Sequence, residues 1–442
     1  MQVWQLLPLG PPHSNDSPYQ CQSVHAANLN LLDRNSLVER GLLDCAGRSD
    51  WLAFAWRTFE ARASDTERDA LTAIEYEHGY WVTDFAAYRV LKSYHDEAPW
   101  WQWPVSLRRS DGPGAEVFRE HNATLIREQI FAQFLFQTQW SRLRELAREL
   151  GVSLFGDMPI FVAEDSADVW VHPELFKLDE NARLEVVAGV PPDAFSDTGQ
   201  RWGNPHYHWE RMRSDDFLWW RERVRTELSR FDIVRVDHFR GFESAWEIPA
   251  HETTGERGAW QPAPGNALFE ALQREFGTLP LVAEDLGLIT EPVRELRRQF
   301  SIPGMKVLQF AFDSDAKNPY LPHNYTVDSV VYTGTHDNDT TLGWFTSLAA
   351  ERKHRVREYL RLRNGDIADA LISAALQSVS LLAMVPMQDL LKLDSSHRMN
   401  TPATTQGNWR WQFDWSQVPD TLASELRSLL TLYGRLSEDV QP

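Results

Sequence analysis

The sequence predicts an α/β fold in which parallel strands alternate with helices and close into a barrel. Short apolar, β-branched segments alternate with longer segments of helical periodicity, which is the pattern of βαβ units. The strand candidates are apolar almost throughout, as strands covered on both faces are. With 442 residues, one large barrel with insertions competes with a chain of two or three domains.

Seven segments are predicted as strands, with helices between them. A long helix is predicted at Thr124–Leu150, where the periodic pattern stops at Gly151. Shorter helices are predicted at Asp216–Ser229 and Glu291–Phe300. The strand candidates are Val3–Pro8, Val152–Val162, Ile233–Phe239, Leu279–Gly287, Met305–Phe312, Ser329–Asp337 and Leu381–Leu390.

Two segments are too long to be simple crossovers. Gly41–Asn122 is rich in Trp, Phe and Tyr, which favours a helical insertion. Ala163–Ser214 is rich in Pro, Gly, Asp and Trp, which favours a loop-rich insertion near the active site. We therefore expect a single catalytic barrel over residues 1–442, with insertion subdomains at 41–122 and 163–214.

The charge balance excludes several classes of partner. The chain has 44 Lys and Arg against 63 Asp and Glu, a net charge of −19. Nucleic acid and anionic membrane surfaces are therefore disfavoured, whereas a neutral substrate fits. Cys21 and Cys45 are typical of reduced thiols in a cytoplasmic protein. We find no apolar run of about 18 residues and no secretory leader at Met1–Pro12.

Three predicted strands end in carboxylates, which are Asp237, Glu284 and Asp337. In a parallel barrel the carboxyl ends of the strands converge on one mouth. Three acids gathered there would repel one another, and this costs free energy unless they perform chemistry or bind a cation. The pattern therefore indicates an active site at this mouth.

Paired carboxylates suit glycosyl transfer. One acts as nucleophile and the other as general acid and then base, at about 5–5.5 Å in retaining enzymes, and a third can stabilise positive charge on the sugar ring. Arg235 lies two residues before Asp237, on the same side of its strand, and could keep that carboxylate ionised. His238 and His336 adjoin the acids and could donate to sugar hydroxyls.

Other chemistries have weaker support. The sequence lacks the spacings HExxH and GxxxxGK[ST], the elbow GxSxG, and a GxGxxG after a strand. A divalent cation is the competing use of three acids.

Of the 19 Trp residues, most are expected in the core. Trp202 is expected to contact ligand, because it lies in a predicted loop of Gly and Pro at Gly199–Pro205.

Long motifs in order along the chain resemble one family, the 4-α-glucanotransferases called amylomaltase or disproportionating enzyme, in the α-amylase clan. The motifs are WQLLPLGPP from Trp4, SPYQ from Ser17, GDMPIFVAEDSADVW from Gly156, GVPPDAFSDTGQRWGNPHYHW from Gly189, RVDHFRGFESAWEIP from Arg235, AEDLG from Ala283, GTHDNDTTLGW from Gly334 and GNWRWQF from Gly407.

The resemblance implies a TIM-type (β/α)8 barrel, no cofactor and no metal. It implies that Asp237 is the nucleophile, Glu284 the acid/base and Asp337 the stabiliser of the transition state. It also implies a lid around Phe195–Trp202 that excludes water on the acceptor side. The substrate-binding residues it implies are Tyr19, Asp157, Trp202, Arg235, His238 and His336.

The implied reaction transfers an α-1,4-glucan segment to the 4-hydroxyl of glucose or a maltooligosaccharide. The implied setting is maltodextrin or glycogen metabolism in the cytoplasm. Three alternatives stay open: an α-1,4-glucan hydrolase, an inactive maltodextrin-binding protein, and a metal-dependent barrel hydrolase. The ratio of new oligosaccharides to new reducing ends separates transfer from hydrolysis, because water and a sugar hydroxyl compete for one intermediate.

The chain departs from the family pattern at three places. The family's first strand and helix have no counterpart, so that only seven strands are predicted. Ser23–Asn30 reads SVHAANLN where the family reads SAFAGNP, which changes the local turn. Ala194 stands in the lid where an aromatic residue is usual, and we expect looser acceptor binding and more hydrolysis.

Overall fold

The computed structural model describes residues 1–193, 196–404 and 406–436. They fall into two compact units. The first comprises Met1–His13 and Pro18–Pro280, and the second comprises Ser14–Ser17 and Leu281–Pro442. Each unit is described in turn.

The first unit contains both β-strands and α-helices. Its strands are β1 Val3–Gln5, β2 Ser153–Met158, β3 Val186–Val190, β4 Gln200–Pro205, β5 Ile233–Val236, β6 Ser244–Pro249 and β7 Ala259–Pro262. Its helices are α1 Arg34–Glu39, α2 Trp51–Arg62, α3 Asp65–Glu77, α4 Val82–Tyr94, α5 Pro113–His121, α6 Ala123–Glu149, α7 Ala167–Val171, α8 Trp209–Ser214, α9 Leu218–Arg230 and α10 Gly265–Phe276.

The first unit contains three parallel strands in the order β1-β2-β5. Each of them lies in or next to one of the family motifs. The register pairs Asp157 of β2 with Arg235 of β5. Paired residues on neighbouring strands point to the same face of the sheet. The register therefore brings a buried acid and a buried base side by side.

The segment 163–214 contains two strands that the sequence did not reveal. β3 and β4 pair with each other and join β6 and β7 in a four-stranded antiparallel sheet of order β4-β3-β6-β7. The prediction of a loop around Trp202 is therefore wrong, because Trp202 lies in β4. The pairing of β3 with β6 joins residues far apart in the sequence, and a local pattern rich in Gly and Pro gives no sign of it.

The helices within 41–122 pack on the long helix α6 through aromatic side chains. The ring centroid of Phe59 on α2 lies 4.8 Å from that of Phe131 on α6, and the ring centroid of Trp56 lies 5.3 Å from it. These rings are almost fully buried. Burial of large aromatic side chains of this kind is a major contribution to stability.

The second unit has four strands and six helices among its described residues. The strands are parallel, in the order β8-β9-β10-β11, and an apolar core including Leu308, Val331 and Leu371 lies against them. The elements are β8 Leu281–Ala283, β9 Gly304–Val307, β10 Ser329–Tyr332, β11 Leu382–Met384, α11 Glu291–Gln299, α12 Thr341–Ser347, α13 Ala350–Tyr359, α14 Ile367–Gln377, α15 Met387–Leu390 and α16 Leu422–Leu432.

All seven predicted strands are present in shortened form, and their pairing is parallel, so the α/β class is confirmed. The predicted helices are also present, as α6, α9 and α11, with ends shifted by at most two residues. Closure into an eight-stranded barrel and the absence of a first strand remain predictions. No helix in the described part of the chain has the length and apolar character that a membrane crossing requires.

Candidate active site

A buried ion pair is the centre of the predicted site in the first unit. Arg235 Nη1 donates to both carboxylate oxygens of Asp157, at 2.7 and 2.8 Å. The side chains are only 6% and 2% exposed. Burying two charges costs free energy that a paired, hydrogen-bonded geometry offsets. The pair therefore fixes the position of the guanidinium.

The other end of the same guanidinium holds the predicted nucleophile. Arg235 Nη2 lies 2.8 Å from Asp237 Oδ1. The backbone N–H of Asp237 donates to the carbonyl oxygen of Met158 at 3.0 Å, which extends the strand pairing by one step. The Asp237 side chain is 29% exposed, so it is held from the buried side and reachable from outside. The guanidinium charge favours the ionised carboxylate.

Tyr19 joins this network from the loop after β1. Its hydroxyl donates to Asp157 Oδ2 at 2.7 Å. The adjacent Gln20 Nε2 donates to Asn204 Oδ1 at 3.1 Å, which ties the SPYQ loop to the antiparallel sheet. The first unit therefore brings together Tyr19, Asp157, Arg235 and Asp237.

Trp202 and His238 form a second contact in the same unit. Their ring centroids are 4.8 Å apart with the planes at 90°, and the indole N–H donates to Gln200 Oε1 at 3.1 Å. His238 adopts a left-handed backbone conformation with φ of 48°, which is uncommon for residues other than glycine. Burial, with the nearby charge of Arg240, lowers the pKa of His238 to about 3. A neutral imidazole can both donate and accept a hydrogen bond.

The predicted lid is described only in part, because Ala194 and Phe195 lie outside the described residues. Ser196 makes two hydrogen bonds within a tight turn. Its backbone N–H donates to Asp193 Oδ1 at 3.0 Å, and its hydroxyl donates to the Gly199 carbonyl at 2.7 Å. This turn leads directly into β4, which carries Trp202.

In the second unit, Glu284 directly follows β8. Its Oε1 accepts a hydrogen bond from the backbone N–H of Leu286 at 3.1 Å, and the residue is half-buried. The next residue, Asp285, faces a different environment. Its Oδ1 accepts from the Met305 N–H at 2.7 Å, and burial raises the pKa of this carboxyl. Of the two neighbouring acids, Asp285 is thus the one whose carboxylate is bound to the backbone of strand β9.

Asp337 and His336 are neighbours in space as well as in sequence. His336 Nε2 lies 3.4 Å from Asp337 Oδ2. Asn400 Nδ2 donates to Asp337 Oδ1 at 2.6 Å, and Arg398 Nη2 donates to the Asp337 carbonyl at 2.9 Å. Trp409 lies against His336, with ring centroids 5.7 Å apart.

Sequence reasoning missed Arg398, Asn400 and Trp409. Trp409 belongs to the motif GNWRWQF, so the motif itself was a signal, although no role was attached to it. Nothing in the local sequence marks Arg398 or Asn400, because they follow the last strand by more than ten residues. Among the described residues, no group of three or more His, Cys, Asp or Glu side chains could hold a metal ion.

Comparison with known proteins decides the family. A family model described as 4-alpha-glucanotransferase, glycoside hydrolase family 77, matches residues 1–417. The chain belongs to this family. As an enzyme of the 4-alpha-glucanotransferase family it is a transferase, which confirms the activity and the family that the sequence predicted.

Individual relatives agree over almost the whole chain. The 4-alpha-glucanotransferase of Thermus thermophilus is 45% identical over 98% of this chain and 91% of its own length. The chloroplastic/amyloplastic 4-alpha-glucanotransferase of Solanum tuberosum is 40% identical over 98% of this chain and 80% of its own length.

Solved structures show the same fold. Amylomaltase from Streptococcus agalactiae, in complex with acarbose, has a TM-score of 0.94 at 35% identity and covers 99% of this chain and 92% of its own. Amylomaltase from Corynebacterium glutamicum has a TM-score of 0.75 at 18% identity, over 98% of this chain and 70% of its own. The second likeness concerns the fold alone.

Proposed function

We propose that this family's glucan transfer proceeds here by a retaining double displacement with Asp237 as the nucleophile. The observation that carries the proposal is the fork of Arg235, which binds the buried Asp157 with one nitrogen and Asp237 with the other. It orients one carboxylate oxygen and keeps the group ionised. An ionised, positioned carboxylate can attack the anomeric carbon and form a covalent glycosyl-enzyme.

Glu284 is the general acid and then the general base in this proposal. It first protonates the glycosidic oxygen, so that the departing glucan leaves as a neutral alcohol. It then removes the proton from the 4-hydroxyl of the acceptor, which attacks the anomeric carbon and releases Asp237. The hydrogen bond that Glu284 accepts from the Leu286 N–H gives its carboxylate a fixed orientation for these proton transfers.

Asp337 stabilises the positive charge that develops on the ring in the transition state. Its hydrogen bond from Asn400 and its contact with His336 hold the carboxylate in one position. A carboxylate whose position is fixed before the reaction loses less free energy to reorganisation during it.

The remaining predicted residues are proposed to bind sugar around the cleaved bond. Trp202 offers a flat apolar face, and the imidazoles of His238 and His336 offer hydrogen bonds to hydroxyls. Both carboxylate oxygens of Asp157 already accept hydrogen bonds from Arg235 and Tyr19, so its contribution is to orient those two side chains.

The acceptor is proposed to be glucose or a maltooligosaccharide, and the substrate a chain of α-1,4-linked glucose. The lid over residues 195–202 would favour a sugar over water. We further propose one catalytic barrel with insertion subdomains at 41–122 and 163–214. A cytoplasmic setting is supported by two free thiols, Cys21 and Cys45.

Trapping the intermediate tests the assignment. The variant Glu284→Gln is incubated with α-maltotriosyl fluoride, whose leaving group needs no protonation. The first step then proceeds while the second is slow, so a maltotriosyl adduct accumulates on the peptide that contains Asp237. Mass spectrometry of the digested protein locates the adduct.

Two further variants make the experiment decisive. Glu295→Gln, an exposed acid on α11, should turn over normally and show no adduct. The double variant Asp237→Asn, Glu284→Gln should show none either. An adduct on another residue, or one that persists without Asp237, would overturn the nucleophile assignment.

A further inference from the structure

A row of aromatic side chains leads away from the His336–Asp337 contact along residues 409–415. Aromatic and polar residues alternate along this segment, and the aromatic residues up to position 413 are half-buried whereas Arg410, Gln412 and Asp414 are exposed. The aromatic members are Trp409, Trp411, Phe413 and Trp415, and we call them the aromatic ribbon.

The last three rings of the ribbon contact one another in order along the chain. Trp411 and Phe413 are stacked with centroids 6.0 Å apart and planes at 27°. Phe413 and Trp415 meet edge to face at 5.2 Å. Trp411 and Phe413 are half-buried, and Trp415 is 78% exposed. Trp415 is therefore the member of the ribbon whose ring is most accessible from solvent.

Polar contacts hold the backbone of this segment in place. Trp409 N–H donates to the Met399 carbonyl at 2.7 Å, and Arg410 binds Asp16 through two nitrogens at 2.9 and 3.1 Å. Asp414 caps the short helical turn at Trp415–Gln417. These contacts hold both ends of the segment, in addition to the contacts between the rings.

We propose that the aromatic ribbon is an additional binding site for the long α-1,4-glucan chain, outside the reaction centre. The inference rests on the proposed function, because that function supplies a linear, uncharged polymer as substrate. Flat indole and phenyl faces suit the apolar C–H faces of sugar rings. The ribbon begins at Trp409, which packs on His336 beside Asp337, so that a bound chain would continue from the site.

The size and charge of the ribbon fit this ligand better than a protein partner. A stable protein interface buries about 800 Å² on each side. One aromatic side chain supplies about 150–250 Å² at most, and two of the three outer rings are half-buried. The flanking charges are one Arg and one Asp, at 410 and 414, so the surface attracts neither a polyanion nor a polycation.

Native electrophoresis through gels that contain glycogen tests the proposal without turnover. In the Asp237→Asn background, glycogen should retard the protein, and Trp415→Ala should reduce the retardation. Tyr76→Ala is the matched control, because Tyr76 is 90% exposed on α3. It should migrate like the parent, because loss of an exposed aromatic ring outside the ribbon should not weaken glycogen binding.

Kinetics give a second measurement in the active protein. Loss of one stacking ring should raise the ratio of KM for amylose to KM for maltotriose about three- to tenfold. Unchanged retardation and an unchanged ratio in Trp415→Ala and Phe413→Ala would overturn the proposal. So would a concentration-dependent dimer that Trp415→Ala abolishes without any effect on retardation.

The two proposals fail in different ways. If the wild-type chain forms no transfer products from maltotriose, the proposed function fails even where glycogen retards the protein. If transfer products form and retardation is the same with and without Trp415, only the aromatic ribbon is refuted.

Discussion

At the scale of single residues, Arg235 connects the buried and the reachable parts of the site. It binds Asp157, which is nearly inaccessible, and Asp237, which is 29% exposed. The planar guanidinium can satisfy both carboxylates at once, whereas an ammonium group is a single point charge. The geometry around the proposed nucleophile, Asp237, therefore depends on the shape of this side chain as well as on its charge.

Arg235→Lys is expected to lower kcat about 10- to 100-fold, since one charge-assisted hydrogen bond is lost, worth about 1.5–3 kcal/mol. The measurement is the initial rate of maltotriose disproportionation. Arg257→Lys is the control, because that side chain is 81% exposed, and it should keep the parent's rate. A kcat for Arg235→Lys within twofold of the parent would remove Arg235 from the site.

Glu227 on α9 offers a prediction on pH. It lines a cavity of about 30 Å³ with Cys21 and Arg223, and burial raises the pKa of its carboxyl to about 7. Between about pH 4.5 and 7 the folded state holds a proton that the unfolded chain releases. The free energy of unfolding should therefore fall as pH rises through this window, by as much as about 3 kcal/mol.

Glu227→Gln removes this titration, so the variant should gain stability relative to the parent as pH rises from 5 to 8. Urea unfolding midpoints at several pH values provide the measurement. Glu256→Gln, an exposed acid of the same unit, is the control and should follow the parent. If the midpoints of Glu227→Gln and the parent differ by a constant amount at every pH, Glu227 does not titrate as proposed.

At the scale of elements, the contact between β2 and the end of α9 positions Asp157. Gly156 precedes Asp157 on β2, and a side chain there would meet the ring of Phe231 at 2.3 Å. No real Cβ approaches another atom so closely, so the helix and the strand could not keep their present separation. The small residue thus lets the strand pack against Phe231 beside the site.

Gly156→Ala is expected to destabilise the first unit by about 1–3 kcal/mol through overpacking and to lower activity, because Asp157 moves with the strand. Urea midpoints and the maltotriose rate measure the two effects. Gly47→Ala, where a side chain would meet nothing within 4 Å, should change neither. Parent-like stability of Gly156→Ala would show that Phe231 moves aside freely.

How much the sequence predicts differs between these elements. The strands β2, β5 and β10 carry strong local signals, because their apolar runs end in the motifs GDMP, RVDH and THDND. The strands β3 and β4 have no such signal, since β4 pairs with β3 and β3 pairs with the distant strand β6. The prediction of a loop around Trp202 was wrong for that reason. Contacts such as Asn400 with Asp337 are equally long-range, and no local pattern indicates them.

At the scale of the whole molecule, the two units each contribute part of the proposed chemistry. The first holds Asp237 with the residues that orient it, and the second holds Glu284 and Asp337. The family model of the 4-alpha-glucanotransferases includes residues of both units, since it matches residues 1–417.

The central claim is tested most directly with the purified chain and maltotriose alone, followed by chromatographic separation of the products over time. Transfer predicts glucose together with a series of longer maltodextrins, and no net gain of reducing ends. The companion variant Asp237→Asn should leave maltotriose unchanged. A wild-type trace that contains glucose and maltose with a matching rise in reducing ends would mean hydrolysis, and would contradict the account.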